Sequence, residues 1–278
     1  MIVFPNCKIN LGLNILRKRS DGYHDLETIF YPLPLTDVLE IIESKKPERT
    51  VPIPFTTSGL IIQGDPASNI CVKAFRLLKK KIPRLPFVQM HLHKAIPSGA
   101  GLGGGSADAA FALQLLNYKF GLNLSQQELI QYAGQLGSDC PFFIINKPCF
   151  ASGTGELLEE VALDLSAYKF VIVNPGIYID TGRAFLNMTP ALPVKSVKEI
   201  INSPLERWKD ELTNDFEKPI FKKHREIVDI KDELYRNGAE YASMSGSGST
   251  VYGIFPKDKM VKLSFPSHYF IRELAGKM

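Results

Sequence analysis

A glycine-rich segment in the first half of the chain constrains the fold more than any other feature of this sequence. Five glycines lie from Gly99 to Gly105, and Ser106 follows them at the start of an alanine-rich stretch that continues to Phe120. Small residues allow several backbone N–H groups to converge on an anion, and the N-terminus of a following helix adds a partial positive charge. A flexible linker is the alternative, but linkers seldom run directly into a helix that can pack so closely. The segment therefore predicts a phosphate-binding loop at the N-terminus of a helix.

Two common phosphate-binding architectures do not fit this loop. Gly99, Gly101 and Gly104 match the pattern GxGxxG, but a dinucleotide-binding fold also needs a second strand and an acidic residue about 20 positions later. Here a second helix is predicted from Ser125, and residues 118–127 contain no acid. The loop also lacks the Gly-Lys-Ser/Thr sequence of a Walker loop. The phosphate site is therefore of another type.

The N-terminal region alternates between polar and apolar residues, which predicts a strand. From Lys8 to Ile15 the odd-numbered positions are Ile or Leu and the even-numbered ones are Lys, Asn, Gly and Asn. This period of two places the apolar side chains toward the core and places Lys8 and Asn10 together on a solvated face. Asp21-Gly22 predicts a turn, and a second extended stretch begins at Thr28.

Local signals predict helices and strands along the rest of the chain. Ser68 or Asn69 can cap one helix, Ser125 and Glu128 form a capping box for another, and Pro141 is acceptable in the first turn of a third. The further predictions are a strand over Phe87–His93, a loop over residues 44–68 with short strands around Ile53 and Ile61, a strand over Phe170–Asn174, helices over about 197–225 and Ile227–Tyr235, and a strand over Val251–Phe255. These elements indicate an α+β fold.

Length and composition restrict the class of protein. The 278 residues favour one large domain or two modest ones, with a boundary near residues 150–165. A net charge of +4 is too small to imply nucleic-acid binding, and it fits an anionic small substrate or no charged ligand equally well. The four cysteines form no CxxC pair, so we expect free thiols in a reducing compartment. No signal peptide or membrane-spanning stretch is apparent, which predicts a cytoplasmic protein.

Three motifs in order along the chain resemble those of the GHMP kinases, a superfamily of small-molecule kinases. Pro97 to Ala107 is similar to the second motif of that superfamily throughout. Lys8-Ile-Asn-Leu11 is similar to the first motif, and Ser245-Gly-Ser-Gly-Ser249 before a strand is similar to the third. The resemblance covers nearly the whole chain.

Further residues resemble the branch of GHMP kinases that phosphorylates the 2-hydroxyl of a cytidine-diphosphate-linked methylerythritol, in the non-mevalonate route to isoprenoid precursors. The similar segments are Asp21–His24, Leu136–Pro141 and Asn174–Gly176. The chain departs from the branch at Asn6-Cys7, where Pro-Ala is usual, and at Asp108, where Asn is frequent.

The resemblance implies a two-domain α+β fold. Residues 1–155 are expected to form an ATP-binding domain similar to ribosomal protein S5, and residues 156–278 a ferredoxin-like domain, with the active site in the cleft between them. ATP would be the co-substrate, with Mg²⁺, and the partner a small molecule carrying cytidine diphosphate. Neither nucleic acid nor a membrane is expected as a partner, and the oligomeric state stays open.

The resemblance also implies roles for individual residues. Asp139 would accept the proton of the substrate hydroxyl, and Lys8 would lie beside it and stabilise the developing charge. Without the resemblance, an N-cap for the helix that contains Pro141 is the better interpretation of Asp139, and the two roles are compatible. The cofactor-binding residues would be Asn69, Pro97, Gly99, Gly101, Leu102, Gly103, Gly104, Gly105 and Ser106, with Ser106 contacting a phosphate or Mg²⁺. The substrate-binding residues would be Asn10, Tyr23, His24, Thr181 and Phe185, with the rings of Tyr23 and Phe185 sandwiching the pyrimidine and His24 bonding its edge.

Other functions remain as alternatives. A GHMP kinase for another alcohol, such as homoserine or a mevalonate derivative, would share the three motifs, but Asp21–His24 favours the cytidine-linked substrate. A nucleotide-binding regulator without catalytic activity would have no need of both Lys8 and Asp139. His91 and His93 share a strand face, but no third metal ligand is suggested.

Overall fold

The structure is a computed structural model that describes residues 1–44, 53–186 and 188–276. Its strands are β1 (Ile2–Val3), β2 (Asn6–Lys18), β3 (His24–Thr36), β4 (Val38–Glu43), β5 (Phe55–Gly59), β6 (Val88–Lys94), β7 (Cys149–Ser152), β8 (Leu157–Glu160), β9 (Tyr168–Asn174), β10 (Tyr241–Met244), β11 (Val251–Pro256) and β12 (Phe270–Ala275). Its helices are α1 (Ile70–Lys81), α2 (Gly104–Lys119), α3 (Gln126–Gly134), α4 (Cys140–Ile145), α5 (Thr181–Leu186), α6 (Val197–Ile200), α7 (Trp208–Glu211), α8 (Glu217–Phe221) and α9 (Arg225–Arg236), with 3₁₀ turns at Pro66–Ser68 and Leu205–Arg207.

Two compact units divide the chain, and they interleave along the sequence. The first unit contains residues 1–7, 35–98 and 103–146, and the second contains residues 8–34, 99–102 and 147–278. The early strand-forming residues therefore belong to the same unit as the C-terminal half. The expected division of the family domains at residues 155 and 156 stays a prediction.

The first unit combines a sheet with a group of helices. Its sheet has the order β1–β4–β6–β5, with β5 parallel to β6 and the other pairs antiparallel. Helices α1 and α2 pack together, and α4 packs on both α2 and α3. The alanine and leucine side chains of helix α2 are buried along much of its length. This packing fixes the position of the first turn of α2, which follows the glycine loop.

Several sequence predictions in the first unit are confirmed because they rest on local chemistry. Asn69 caps α1, and the side chains of Ser125 and Glu128 form the capping box of α3. The prediction of short strands around Ile53 and Ile61 is wrong, since the strand of this segment is β5 and both isoleucines lie outside it. Pairing with β6 sets the position of β5, and the isoleucines do not. Residues 45–52 of the predicted loop lie outside the described residues.

The second unit contains two antiparallel sheets. Their strand orders are β2–β3–β7–β8 and β10–β11–β9–β12. One face of the second sheet packs against α9, whose apolar side chains Ile227, Ile230 and Leu234 are buried with the strand residues Val171 and Phe255. This core holds the segment between β10 and β11, which carries the third motif.

A single long helix over residues 197–225 is a wrong prediction. The structure has α6, α7 and α8 as separate short helices in this stretch. Pro204 lies between α6 and the 3₁₀ turn at Leu205–Arg207, and a proline cannot donate a helical backbone hydrogen bond. Between α7 and α8 the backbone pairs with β2, since the Leu13 N–H donates to the Thr213 carbonyl at 2.8 Å. Tertiary pairing therefore replaces helix here.

The solvated face predicted for the N-terminal strand is also wrong. Lys8, Asn10 and Asn14 are buried together with the apolar residues of β2, because this strand is covered on both faces. Gly12 has a φ of +66°, and a Cβ atom there would lie 2.5 Å from the Leu212 side chain. Burying polar side chains requires hydrogen-bond partners, and these partners build the site described below.

Candidate active site

The glycine loop has the backbone geometry that only glycine adopts easily. Gly99, Gly101 and Gly103 all have positive φ angles, and Gly103 occupies the N-cap position of α2 in the left-handed conformation. A Cβ atom on Gly101 would lie 2.0 Å from the Ser245 carbonyl oxygen, so the backbone approaches too closely for any side chain. Nothing lies within 4 Å of a Cβ atom built on Gly105. The loop therefore places an open helix N-terminus where an anion can bind.

Ser106 lies in the first turn of α2 and is joined to the next motif along the chain. A side-chain hydrogen bond links its hydroxyl group to the thiol of Cys140, the first residue of α4. Burial raises the pKa of Cys140 to about 12, so this thiol stays protonated at neutral pH. The Ser106 hydroxyl group and the Cys140 thiol are therefore two neutral partners, and both belong to the first unit.

Asp139 immediately precedes α4 with helical backbone angles, φ −80° and ψ −16°. Within the described residues, the Asp139 side chain accepts no capping hydrogen bond from the backbone N–H groups of the first turn of α4. Asp139 therefore occupies the predicted N-cap position of α4, but its side chain forms no capping hydrogen bond.

Lys8 and Asn10 lie side by side on β2, as the alternation predicted. The Lys8 ammonium group donates to Asn10 Oδ1 at 2.6 Å and lies 4.6 Å from the centroid of the Phe30 ring. Lys8 is 4% exposed and Asn10 is 3% exposed. The N–H of Lys8 donates to the carbonyl oxygen of the buried Leu102 at 2.9 Å, which connects β2 to the glycine loop within the second unit.

Ser245, the first residue of the third motif, connects all three motifs. Its hydroxyl group accepts the N–H of Asn10 at 3.2 Å and donates to the carbonyl oxygen of Gly101 at 2.8 Å. A Cβ atom on Gly246 would lie 3.3 Å from Asn10 Oδ1. The first, second and third motifs therefore meet in the second unit around one buried serine.

Asn214 also supports this arrangement, and sequence reasoning missed it. Its side-chain amide donates to the carbonyl oxygens of Met244 at 2.7 Å and Gly246 at 2.8 Å, and its Oδ1 accepts the N–H of Phe216. It is buried and clamps the backbone on either side of Ser245. No local signal identifies it, because its partners are about 30 residues away in the chain.

The residues expected to bind the cytidine group are partly brought together. The rings of His24 and Phe185 are stacked, with centroids 5.3 Å apart, and Phe185 also meets Phe216 edge-on at 4.9 Å. Tyr23 is 66% exposed. The Thr181 hydroxyl group, at the start of α5, lies 2.8 Å from the Ser247 hydroxyl group of the third motif.

The first unit contains a cavity of about 240 Å³ beside the start of α2. Its walls include Asn69, Lys94, Ser98, Gly105 and Asp108. Asn69 Oδ1 accepts the N–H of Cys71, which caps α1. The cavity therefore lies next to the open N-terminus of α2 and is lined by polar groups.

Lys94 and Asp108 of this cavity wall belong to a buried group of three charged residues, of which Asp37 is the third. Lys94 donates to Asp37 and, at 2.7 Å, to Asp108 Oδ2. Burial raises the pKa of Asp108 to about 7; the Asp37 carboxylate adds to this shift and Lys94 opposes it. Burial alone would lower the pKa of Lys94, but its charge interactions and hydrogen bonds with Asp108 and Asp37 outweigh burial and raise it. Asp108 Oδ1 has no hydrogen-bond partner among the described residues.

The structure also describes the two histidines of β6, the acidic and thiol side chains that could bind a metal, and the four cysteines. His91 and His93 share a face of β6, and Ser58 Oγ lies 2.9 Å from His91 Nε2 and 3.0 Å from His93 Nδ1. Within residues 1–44, 53–186 and 188–276, no group of three or more His, Cys, Asp or Glu side chains could hold a metal ion. All four cysteines lie in the described ranges and are buried, and none of them forms a disulfide bond. In the same ranges, no helix is both long enough and apolar enough to cross a membrane.

Comparison with known proteins decides the family. Models of the GHMP kinase N-terminal domain and of the GHMP kinase C-terminal domain match residues 69–147 and 196–263. The 4-diphosphocytidyl-2-C-methyl-D-erythritol kinase of Bacteroides fragilis is 52% identical, over 97% of this chain and 97% of that protein. This chain belongs to the GHMP kinases, in the family of that enzyme. The predicted kinase activity is confirmed: the protein is a small-molecule kinase with ATP as co-substrate.

Solved structures agree with this assignment. A crystal structure of 4-(cytidine 5'-diphospho)-2C-methyl-D-erythritol kinase matches this GHMP kinase with a TM-score of 0.75 and 27% identity, over 100% of both chains. The mevalonate kinase of Methanococcus jannaschii matches with a TM-score of 0.65 and 14% identity, over 99% of this chain and 98% of that one. The second match shows the fold alone. The predicted two-domain α+β fold of the GHMP kinases is confirmed.

Proposed function

We propose that this GHMP kinase transfers the γ-phosphoryl group of ATP to the 2-hydroxyl of 4-diphosphocytidyl-2-C-methyl-D-erythritol, a step in the non-mevalonate pathway of isoprenoid biosynthesis. The reaction takes place in the cytoplasm. The observation that carries this proposal is the 52% identity to the Bacteroides fragilis enzyme over nearly the full length of both chains.

ATP binds through the glycine loop, the start of α2 and the cavity of the first unit in this proposal. The N–H groups of the glycine loop and the N-terminus of α2 bind the phosphates, and the cavity beside Asn69 and Asp108 holds the nucleoside. The open position at Gly105 supports phosphate binding, because no side chain competes for the space. Nucleoside hydroxyl or amino groups can donate to Asp108 Oδ1, which the described residues leave without a partner.

Asp139 and Lys8 carry the proton and charge changes of the reaction. Asp139 accepts the proton from the substrate hydroxyl, and Lys8 stabilises the negative charge that develops on the transferred group. Phosphoryl transfer depends mainly on such positioning and charge stabilisation.

Mg²⁺ fits the oxygen-rich surroundings of the loop. This ion prefers oxygen ligands, and in kinases the substrate phosphates supply many of them, so a cluster of three protein ligands is unnecessary. In this proposal the Ser106 hydroxyl group, in the first turn of α2, contacts a phosphate or the ion. When bound, Mg²⁺ neutralises charge on the phosphates.

The cytidine group gives the substrate specificity. The aromatic rings of Tyr23 and Phe185 stack on the pyrimidine, and His24 forms a hydrogen bond with its edge. Asn10 orients the substrate, and Thr181 binds it next to the third motif. The contact between the His24 and Phe185 rings supports this grouping.

Steady-state kinetics with the cytidylated substrate and with uncytidylated methylerythritol 4-phosphate tests the function. We expect activity on the first compound and very little on the second, because a site built to bind polar edges rejects an analogue that leaves its groups unmatched. Tyr23→Ala and Phe185→Ala should each lower kcat/KM for the cytidylated substrate by roughly 10- to 100-fold with little change in the KM for ATP. Tyr118→Ala, at an exposed tyrosine of α2, is the matched control. Equal activity on both compounds would move the protein to another branch of the GHMP kinases.

The role of Asp139 is tested by Asp139→Asn. This change keeps the shape of the side chain but removes its basicity, so kcat should decrease by roughly 10²–10⁴-fold while the affinity for ATP is kept. Thermal unfolding measured on the same preparations verifies that the variant is folded. A folded variant with wild-type kcat would exclude Asp139 as the base.

A further inference from the structure

Thr28 contacts the first motif but belongs to none of the three motifs. It lies on β3, is 0% exposed, and its hydroxyl group meets two partners in the second unit. Asn10 Nδ2 donates to Thr28 Oγ1 at 3.1 Å, and Thr28 Oγ1 donates to the Gly12 carbonyl oxygen. The Asn10 amide is therefore held between Thr28 and Lys8.

Hydrogen-bond chemistry fixes the direction of this chain of contacts. The Lys8 ammonium group can only donate, so the Asn10 atom that it meets at 2.6 Å must be the amide oxygen. The amide nitrogen then faces Thr28 and needs an acceptor. A backbone carbonyl can only accept, so the single hydroxyl hydrogen of Thr28 goes to Gly12, and a lone pair stays available for Asn10. Each group in the chain is used in the one way its chemistry permits.

The hydroxyl group of Thr28 determines which end of the Asn10 amide faces Lys8. Without it, the buried NH₂ group of Asn10 would lose its acceptor, which carries a desolvation cost. Rotation of the amide would relieve this cost but would turn the NH₂ group toward the Lys8 ammonium group, where two donors meet. Rotation would therefore displace the ammonium group from its present position, and small displacements of reacting groups have large effects on rate.

We propose that Thr28 is a positioning residue of this kinase, which fixes the Asn10 amide and, through it, the Lys8 ammonium group in the geometry required for phosphoryl transfer. The proposal rests on the proposed function of Lys8 and Asn10. Thr28 itself contacts neither substrate in this scheme, so its effect appears in kcat rather than in the KM for ATP.

Three variants test the proposal by steady-state kinetics. Thr28→Val removes the hydroxyl group and keeps the shape, and we expect kcat to decrease about 10-fold with a KM for ATP within about 2-fold of wild type. Thr28→Ser keeps the oxygen and should retain most of kcat. Thr36→Val is the matched control, since Thr36 is a half-buried residue at the other end of β3.

A double-mutant cycle with Asn10→Ala distinguishes an indirect role from an independent one. If Thr28 acts through Asn10, Thr28→Val should change kcat less than about 2-fold in the Asn10→Ala background. An equal decrease in both backgrounds would overturn the proposal, and so would wild-type kcat in Thr28→Val. Thr28→Ala is measured in parallel, and loss of folding in both the Val and Ala variants would assign Thr28 to the fold alone and overturn the proposal. An inactive wild-type protein would instead reject the proposed function, which separates the two failures.

Discussion

Lys8 and Lys94 are both buried, and their surroundings differ. Lys94, in the first unit, is held by the carboxylates of Asp37 and Asp108. Lys8, in the second unit, is held by the amide oxygen of Asn10 and lies over the Phe30 ring. Lys94 forms hydrogen bonds with two charged groups inside the first unit, whereas Lys8 forms one with an amide that belongs to the first motif. Because the surroundings differ, we expect the same substitution at each lysine to change different properties of the protein.

The largest effect that tests this contrast is expected at Lys8. Lys8→Met removes the charge and keeps much of the apolar stem, so kcat should decrease by roughly 10²–10⁴-fold because stabilisation of the transition state is lost. Steady-state kinetics measures kcat, and urea unfolding measures stability. A decrease in stability without a decrease in kcat would place Lys8 in the same class as Lys94.

The corresponding change at Lys94 should act mainly on stability. Lys94→Met leaves two buried carboxylates without their cation, and breaking a buried ion pair in this way costs about 3–5 kcal/mol of unfolding free energy. Urea unfolding measures this change. Lys147→Met is the control: Lys147 and Glu160 form an exposed pair at 2.8 Å, and solvent screening leaves such a pair with little effect on the free energy of unfolding. Similar losses in both variants would contradict the role given to the buried group.

The pH dependence of stability offers a finer test of the charged group around Lys94. One lysine cannot neutralise two carboxylates, and burial raises the pKa of Asp108 to about 7 from its ordinary value of 3.8. Between these two values the folded state binds more protons than the unfolded state, so the Asp108 contribution to stability is complete below about pH 4 and is lost as the pH rises through 7. Asp108→Asn removes this titration, and its unfolding free energy should fall less steeply than that of wild type over this range. Parallel slopes in urea-unfolding series at several pH values would show that Asp108 does not titrate there.

The smallest expected effect concerns Cys71, which reports on the same region. Burial raises the pKa of the Cys71 thiol, and the nearby carboxylates of Asp108 and Asp37 add to the shift. Because the thiolate is the reactive form, Ellman's reagent at pH 8 should modify the native wild-type protein very slowly. Faster modification is expected in Lys94→Met, where the first unit opens more often. Rapid labelling of native wild type would contradict the burial of this region.

The sequence predicted those parts of the structure that depend on near neighbours. Asn69 and the Ser125–Glu128 pair cap their helices because the donors and acceptors lie within three residues of each other. The glycine loop was recognisable because its conformation demands glycine at Gly101 and Gly103. These features follow from local chemistry, which a single sequence contains.

The rest of the site depends on contacts between distant residues. The alternation in β2 placed Lys8 and Asn10 on one face, but it gave no sign that a second layer buries that face. Thr28 and Asn214 are ordinary polar residues in the sequence, and their importance appears only with their partners in space. The breaks in the stretch 197–225 have the same origin, because pairing with β2 outweighs helix propensity there.

The pairing between β2 and the segment before α8 has a consequence for how the chain folds as it is synthesised. The Leu13 N–H bonds to the Thr213 carbonyl, and the Ile15 N–H bonds to Asp215, so β2 obtains these partners only after about 200 further residues have left the ribosome. Contacts between residues so far apart in the sequence form slowly. Until they form, β2 exposes its edge and its apolar side chains. The first unit takes its residues from 1–146 and can become compact earlier. Nascent chains that end before residue 213 should therefore bind chaperones through β2, and Lys8 should reach its final position among the last events of folding.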